Sequence, residues 1–217
     1  MTILWLTRLV LDPRNREVAR DLASAVSLHR RIMSLFPDNV GSQARHDLGV
    51  LFRVEDGPAG SHLLIQSGHE PDIKRLPDGY GQAWTKPLTP MLDFLSPGLP
   101  LRYRIAANPI RKPGKTTREL YGLKPIVPLS GDAARQWWLR QAQQSGLHIH
   151  AAHASPLSPV GGQRARGQRI HHARCLFEGT ATVADPDLLR RRVAEGIGRG
   201  KSYGCGLLSL APAATLS

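Results

Sequence analysis

The order of predicted helices and strands repeats once along the 217 residues, and this repetition restricts the possible folds more than any other feature of the sequence. Strand-forming composition, helical periodicity and a hairpin turn predict a strand, a helix and two strands at residues 3–11, 16–36, 48–55 and 61–67. Residues 68–98 are rich in proline and glycine and predict only a weak helix. At 99–108, apolar and basic residues alternate, which predicts a strand with one buried and one cationic face.

The second half of the chain repeats the same order. A helix, two strands, a helix and a strand are predicted at residues 131–146, 147–152, 169–183, 185–195 and 207–210. Asp185-Pro186 suits the start of the second of these helices. The repeated order β-α-β-β-α-β predicts an α+β fold with two tandem ferredoxin-like domains, residues 1–115 and 116–217.

Charge indicates the class of partner. The chain has 29 basic and 17 acidic residues and a formal net charge of +12, and most of the basic residues are arginines. Guanidinium groups bind phosphates with two hydrogen bonds and stack on bases, so this excess favours nucleic acid over a membrane surface. The sequence has no apolar run long enough to cross a membrane and no secretory signal at Met1–Leu11, and Cys175 and Cys205 make no disulfide framework. Without a membrane span, a secretory signal or a disulfide framework, we expect a cytoplasmic protein with reduced thiols.

A glycine-rich loop lies between the last predicted helix and strand. Glycines at 196, 198, 200, 204 and 206 surround Arg199 and Lys201. Backbone N–H groups beside two cations predict a phosphate site, with Gly198 and Gly200 at its centre. The loop is not a nucleotide-binding P-loop, because Glu195 stands where that motif needs its first glycine. A turn that binds nothing is the alternative.

The remaining motifs narrow the chemistry. A histidine-rich region (His148, His150, His153, His171 and His172, with Cys175) raises a metal hypothesis, but the sequence has no CxxC or HExxH spacing, so we predict no metal site. Carboxylates are scattered, which disfavours a two-metal nuclease. A histidine, cations and a glycine loop are enough to cut RNA, whose own 2′-hydroxyl is the nucleophile, but not DNA.

His29 is the ambiguous residue of the first helix. It falls inside the apolar half of the helical wheel, near one edge, with Arg30 just outside. From the pattern alone it is either a packed core residue or a proton-transfer group.

Four segments together resemble the CasE family, the repeat-cleaving endoribonucleases of type I-E CRISPR Cascade complexes. They are Leu4-Trp5-Leu6-Thr7-Arg8-Leu9 with Asp21-Leu22 and Leu28-His29-Arg30; Leu101 to Pro109, which ends in Ala-Asn-Pro; Trp137-Trp138-Leu139-Arg140; and Glu178-Gly179 with the loop from Gly196 to Ser209. Their order and spacing, rather than any one of them, carry the resemblance.

The resemblance implies two ferredoxin-like (RRM-like) domains and metal-independent cleavage of CRISPR precursor RNA at the 3′ base of the repeat stem-loop. It implies no cofactor, a catalytic His29, and retention of the product in Cascade, chiefly beside the backbone subunit. The residues expected to bind RNA are Arg30, Arg31, Arg102, Arg104, Lys112, Lys115, Arg140, Arg199 and Lys201, with Gly198 and Gly200.

The sequence departs from the family pattern at two positions. Related members often carry a tyrosine three residues before the histidine, where this chain has Val26, and a second basic residue after Arg140, where it has Gln141. The second acid–base group is therefore open, and Arg30, Arg31 and Ser34 are candidates by placement. A non-cleaving RNA-binding subunit of the same fold is the alternative function.

Overall fold

The structure is a computed structural model that describes residues 3–38, 41, 43–57, 60–163 and 169–213, with the backbone alone at 160–163 and 169–172. The strands are β1 (Trp5–Leu11), β2 (Leu51–Gly57), β3 (Gly60–Ser67), β4 (Gly81–Pro87), β5 (Pro100–Ala107), β6 (Ile110–Arg111), β7 (Val127–Pro128), β8 (Leu147–Gln163), β9 (Arg169–Val183) and β10 (Leu208–Pro212). The helices are α1 (Arg16–Leu22), α2 (Ala25–Met33), α3 (Ala44–Asp47), α4 (Thr89–Asp93), α5 (Lys115–Tyr121), α6 (Gly131–Gln143) and α7 (Pro186–Glu195), and 3₁₀ turns lie at Ile73–Arg75 and Lys201–Tyr203.

Two four-stranded antiparallel sheets form the framework. The first has the order β2-β3-β1-β4 and the second the order β10-β5-β9-β8. When the strands are numbered within each unit, both sheets have the order 4-1-3-2, the arrangement of a ferredoxin-like β-α-β-β-α-β unit. The predicted fold class is therefore confirmed, although the second helix of the first unit is only the short turn Ile73–Arg75.

One predicted strand belongs to the other sheet. The sequence places the strand at 99–108 in the first unit, whereas β5 pairs with β9 and β10 of the second sheet. The fourth strand of the first sheet is β4, which lies in the proline- and glycine-rich segment. Alternating apolar and basic residues predict a strand but do not identify its neighbours. We propose that the domain boundary lies between Asp93 and Pro100 rather than at 115/116.

The predicted helix at 16–36 is two helices. Ser24 adopts an extended backbone between α1 and α2, and its side chain accepts a hydrogen bond from the amide of Ser27 at 3.4 Å. Asn15 caps α1 in the same way. Because serine competes with the helical backbone for hydrogen bonds, it starts a new helix at this position. The break lets α2 take its own direction across the first sheet, and α2 carries His29.

Each sheet has its own core. The first contains Leu9, Ile32, Phe36, Phe52 and Ile65, all at most 2% exposed. In the second, the fully buried Trp138 of α6 stacks on Phe177 of β9, with ring centroids 5.6 Å apart. This aromatic pair contributes about 0.5–1.5 kcal/mol beyond its buried area.

Polar contacts join the two units. Arg53 of β2 is 2% exposed, and it donates to the carbonyl oxygens of Arg104 and Leu207 at 3.1 and 2.9 Å and to the hydroxyl of Ser209 at 2.8 Å. Gln66 of β3 donates to the carbonyl oxygen of Val193 at 2.8 Å. These bonds set the position of the second sheet and its loops against the first sheet.

None of the helices within the described ranges is both long enough and apolar enough to span a membrane.

Candidate RNA-cleavage site

His29 lines a cleft that both units build. The residue is half-buried on α2. The cleft has a volume of about 420 Å³ and is lined by His29, Met33, Gln43, Ala44, Arg45, His46 and Ser202. Ser202 comes from the glycine-rich loop of the second unit, and the other lining residues come from the first. His29 is therefore neither sealed in the core nor isolated on the surface.

Tyr203 lies directly beside His29. The two ring centroids are 6.3 Å apart, and the ring planes are tilted by 57°. Tyr203 ends the 3₁₀ turn Lys201–Tyr203, which Gly200 and Gly204 flank with φ angles of 79° and 81°. A residue with a side chain is strained at such angles, so the two glycines allow the sharp turn that brings Tyr203 to α2.

Arg45 and Lys201 place one cation in the His29 cleft and a second in the groove beside it. Arg45 lines both the His29 cleft and an adjoining groove of about 660 Å³, which Lys201 also lines. Arg45 Nη1 donates to the carbonyl oxygen of Val50 at 3.0 Å, and Lys201 Nζ donates to that of Glu195 at 2.7 Å. Neither cation forms an ion pair with a carboxylate of the described residues.

The electrostatics of this pair favour an anion. Burial lowers the pKa of Arg45. Burial also lowers the pKa of Lys201, and the nearby positive charge of Arg45 lowers it further. A negative group bound between the two would relieve both effects, because it replaces lost hydration and screens the repulsion.

The glycine-rich loop is largely occupied by its own hydrogen bonds. The amides of Gly196, Ile197, Tyr203, Cys205 and Gly206 donate to protein carbonyl oxygens. They are therefore not available to a phosphate, and the predicted phosphate site would have to use other groups of the loop, among them the segment 198–202. This segment contains Gly198 and Gly200, the exposed Arg199 and the half-buried Lys201.

Arg30 and Arg31 do not enter the cleft. Arg31 Nε donates to Asp21 at 2.7 Å, its other end pairs with Glu17, and its guanidinium lies 5.3 Å from the ring centroid of Tyr80. Burial opposes the charge of Arg31, but the hydrogen bond to Asp21 raises its pKa overall. Arg31 thus joins α1 to α2, and we leave it out of the proposed site.

The three candidates for the second acid–base group line a depression that is separate from the His29 cleft. Arg30 is exposed there and, like Arg31, lines the depression, together with Ser34. The Ser34 hydroxyl donates to the carbonyl oxygen of Arg31 at 2.8 Å. The three candidates for the second acid–base group therefore lie together, away from the His29 cleft.

The arginines of β5 have different surroundings. Arg102 is exposed, whereas Arg104 donates to Glu178 at 2.6 Å and lies 3.4 Å from Glu55. Arg104 therefore serves first as an ion-pair partner that links the units, and Arg102 is the better phosphate contact.

The other predicted cations lie apart from the cleft. Lys112, Lys115 and Arg140 are exposed, on the segment before α5, at its first residue and in the last turn of α6. None of the three lines the His29 cleft as the structure describes it. They are available to contact RNA at a distance from the reacting phosphate.

The histidine-rich region forms no metal cluster among the described residues. The rings of His148 and His150 contact each other, with centroids 5.1 Å apart. The side chains of His171 and His172, and the residues Arg164 and Arg166, lie outside the described part of the chain. Burial raises the pKa of the Cys175 thiol to about 11.

Sequence reasoning missed Arg45, Ser202 and Tyr203. Ser202 and Tyr203 lie in the loop already singled out for its glycines, so its contact with α2 was the missing information. Arg45 belongs to the short helix α3, in a segment with no periodicity or motif. Only the tertiary structure brings these residues to His29.

Comparisons with known proteins assign the chain to a family. The family model described as CRISPR associated protein matches residues 4–212. The CRISPR-associated endoribonuclease Cse3 of Thermus thermophilus is 32% identical over 96% of this chain and 100% of its own length. The CRISPR system Cascade subunit CasE of Escherichia coli is 31% identical over the same shares.

A solved structure is similar over nearly the whole chain. Thermus thermophilus Cse3, bound to an RNA that represents a pre-cleavage complex, has a TM-score of 0.80 and 30% identity, covering 97% of this chain and 100% of that one. Sequence and fold therefore lead to the same conclusion: the chain belongs to the CRISPR associated protein family.

Proposed function

We propose that this protein is an endoribonuclease that cuts CRISPR precursor RNA at the 3′ base of the repeat stem-loop. The observation that carries the proposal is the cleft in which His29 lies with Arg45, Ser202 and the adjoining Lys201. A proton-transfer group and cations that stabilise developing phosphate charge are sufficient to cut RNA without a metal ion. Likeness to the endoribonuclease Cse3 supports the same reaction.

The proposed reaction uses a nucleophile from the substrate. The ribose 2′-hydroxyl gives up its proton and its oxygen attacks the adjacent phosphorus. The bond from phosphorus to the 5′-oxygen then breaks, and that oxygen takes up a proton. His29 accepts the first proton as base or supplies the second as acid. The products carry a 2′,3′-cyclic phosphate and a 5′-hydroxyl, and no metal ion is needed to generate the nucleophile.

Arg45 and Lys201 would stabilise the charge that develops on the phosphate. Both are half-buried, so their attraction for an anion is screened less than that of an exposed cation. Each is held by a hydrogen bond to a backbone carbonyl, so neither must be ordered when RNA binds. Fixed charges of this kind lower the barrier because they require no reorganisation during the reaction.

The exposed cations would hold the stem. These cations are Arg102, Lys112, Lys115, Arg140 and Arg199, all exposed. Contacts of this kind position an RNA helix by its phosphates and carry little sequence information.

Likeness to the Cascade subunit CasE supports a further part of the proposal, that the protein stays with its product beside the Cascade backbone subunit.

A single-turnover assay with end-labelled repeat RNA tests the reaction. We expect cleavage in the presence of EDTA, and products that migrate as a 2′,3′-cyclic phosphate and a 5′-hydroxyl fragment. The matched control RNA has a 2′-deoxyribose before the cut and should bind without being cleaved. Cleavage of the control would exclude 2′-hydroxyl attack, a strict requirement for a divalent cation would exclude the metal-independent route, and tight binding without product would favour the non-cleaving alternative.

A further inference from the structure

We infer that Tyr203 is a positioning residue whose aromatic ring orients the imidazole of His29 for proton transfer. The inference rests on the proposed function and deepens it, because it assigns a role to a loop residue of the second unit. The ring contact is direct, with centroids 6.3 Å apart and planes tilted by 57°. The two residues are far apart in sequence, so the fold itself creates the contact.

The tyrosine is held firmly enough to act as a support. It is 8% exposed, and its amide donates to the carbonyl oxygen of Gly200 at 2.8 Å. It also lines a small cavity with Ala25 and Leu28 of α2 and Phe52 of β2. A ring packed between a helix and a strand cannot change its rotamer without disturbing both.

The helix alone does not fix the orientation of the imidazole. The torsion that rotates a histidine ring about its attachment has broad energy wells, so the helix backbone alone does not set the direction of the ring nitrogens. The residue one turn earlier on α2 is Val26, an aliphatic side chain that offers neither an aromatic surface nor a hydrogen bond. Among the described residues, the aromatic contact to His29 comes from the loop, at Tyr203.

The inference is argued from the contact between the two rings, and it therefore assigns the role to the ring of Tyr203. Tyr203→Phe should therefore preserve function. Tyr203→Met fills a similar volume with a flexible side chain but removes the ring.

The experiment compares these two variants in single-turnover cleavage and in binding of the 2′-deoxy control RNA. We expect Tyr203→Met to lose about 10- to 100-fold in cleavage rate, since small misplacements of a reacting group have effects of that size. Binding should change by less than about threefold, and Tyr203→Phe should cleave within about threefold of the parent. Phe177→Met, the same kind of change in the second core, should cleave like the parent and serves as the control for packing loss.

A readout independent of cleavage separates this inference from the proposed function. The ring protons of His29, assigned with His29→Gln, are followed by NMR through a pH titration. Tyr203→Met should shift their resonances and their titration midpoint, whereas Tyr203→Phe and Phe177→Met should leave both close to the parent. The NMR titration tests the role of Tyr203 even if the parent protein cuts no RNA. That result would overturn the proposed function but not the positioning of His29 by Tyr203.

Two results would overturn the inference while leaving the nuclease proposal intact. One is Tyr203→Met with the parent's cleavage rate and an unchanged His29 titration. The other is Tyr203→Phe as slow as Tyr203→Met, which would assign the role to the hydroxyl. If Tyr203→Met does not fold, Tyr203→Leu takes its place and the same two outcomes apply.

Discussion

The guanidinium of Arg53 donates through Nη1 to the carbonyl oxygen of Leu207, which lies 2.9 Å away and 154 residues further along the chain. The bond joins β2, an edge strand of the first sheet, to the residue that follows the glycine-rich loop. Arg53 also donates to Glu55 at 2.8 Å, so its charge is paired at the point where the two sheets meet. The position of the loop against α2, and with it the His29 cleft, depends on this contact.

Arg53→Met should destabilise the protein by about 3–5 kcal/mol, because it removes one partner of a buried ion pair and leaves Glu55 and two carbonyl groups short of a donor. Denaturant unfolding at neutral pH measures the change. Arg14→Met is the matched control, since Arg14 pairs with Asp12 while its side chain is 89% exposed. Equal stability of the two variants would contradict the structural role of Arg53.

The stabilising contribution of ionised Glu55 should be lost in acid. Burial alone would raise the pKa of Glu55, but the charge and hydrogen bonds of Arg53, with Arg104, lower it below the ordinary value of 4.5. A carboxyl group with a lower pKa in the folded state stabilises the fold above its unfolded pKa, and this stabilisation is lost as the pH falls through the folded value.

Urea unfolding from neutral pH to below the ordinary carboxyl range checks the expectation for Glu55. Glu55→Gln should be less stable than the parent at neutral pH and should lose less stability on acidification. Glu70→Gln, at an exposed site, should follow the parent at every pH. Parallel curves for Glu55→Gln and the parent would mean that this carboxyl does not contribute.

His29→Ala should lower the single-turnover cleavage rate by about 10²–10⁴-fold, the range for loss of an acid–base group, with little effect on RNA affinity. His150→Ala is the control, because His150 is an exposed histidine on β8 outside the cleft. Cleavage and filter binding are measured on the same preparations. A His29→Ala protein with full activity would remove His29 from the mechanism.

Arg45→Gln and Lys201→Gln should each reduce the cleavage rate by about 10²-fold, the cost of losing one fixed donor to a developing anion. Each should also make RNA binding less dependent on salt, because one phosphate contact is lost. Lys86→Gln, at an exposed position on β4, should change neither quantity by much. An unchanged rate in both cleft variants would place the reacting phosphate elsewhere.

The fold was predictable where local patterns determine it. Strand β1, the hairpin of β2 and β3, helix α6 and the capped helix α7 all follow from periodicity and turn residues. Which sheet β5 joins was not predictable, because packing between distant segments of the chain determines the neighbours of this strand. The break at Ser24 was missed because the apolar pattern of the two helices runs on through it, and a single side-chain cap changes the backbone there.

The candidate site was only half predictable. The resemblance to a family pointed to His29 and the glycines pointed to the loop, but nothing in the sequence said that the two meet. Arg31 shows the opposite error: a basic residue next to His29 in sequence is used by Asp21 and Glu17 in the structure. Charge and adjacency in sequence indicate which residues could contact RNA, whereas carboxylate neighbours decide which of them are available.

The division of the cleft between α2 and the residues near 202 has a consequence during synthesis. The ribosome makes the histidine long before it makes the loop. With the function proposed above, a nascent chain that already carries His29 but still lacks Lys201, Ser202 and Tyr203 should not cleave RNA until the late loop docks.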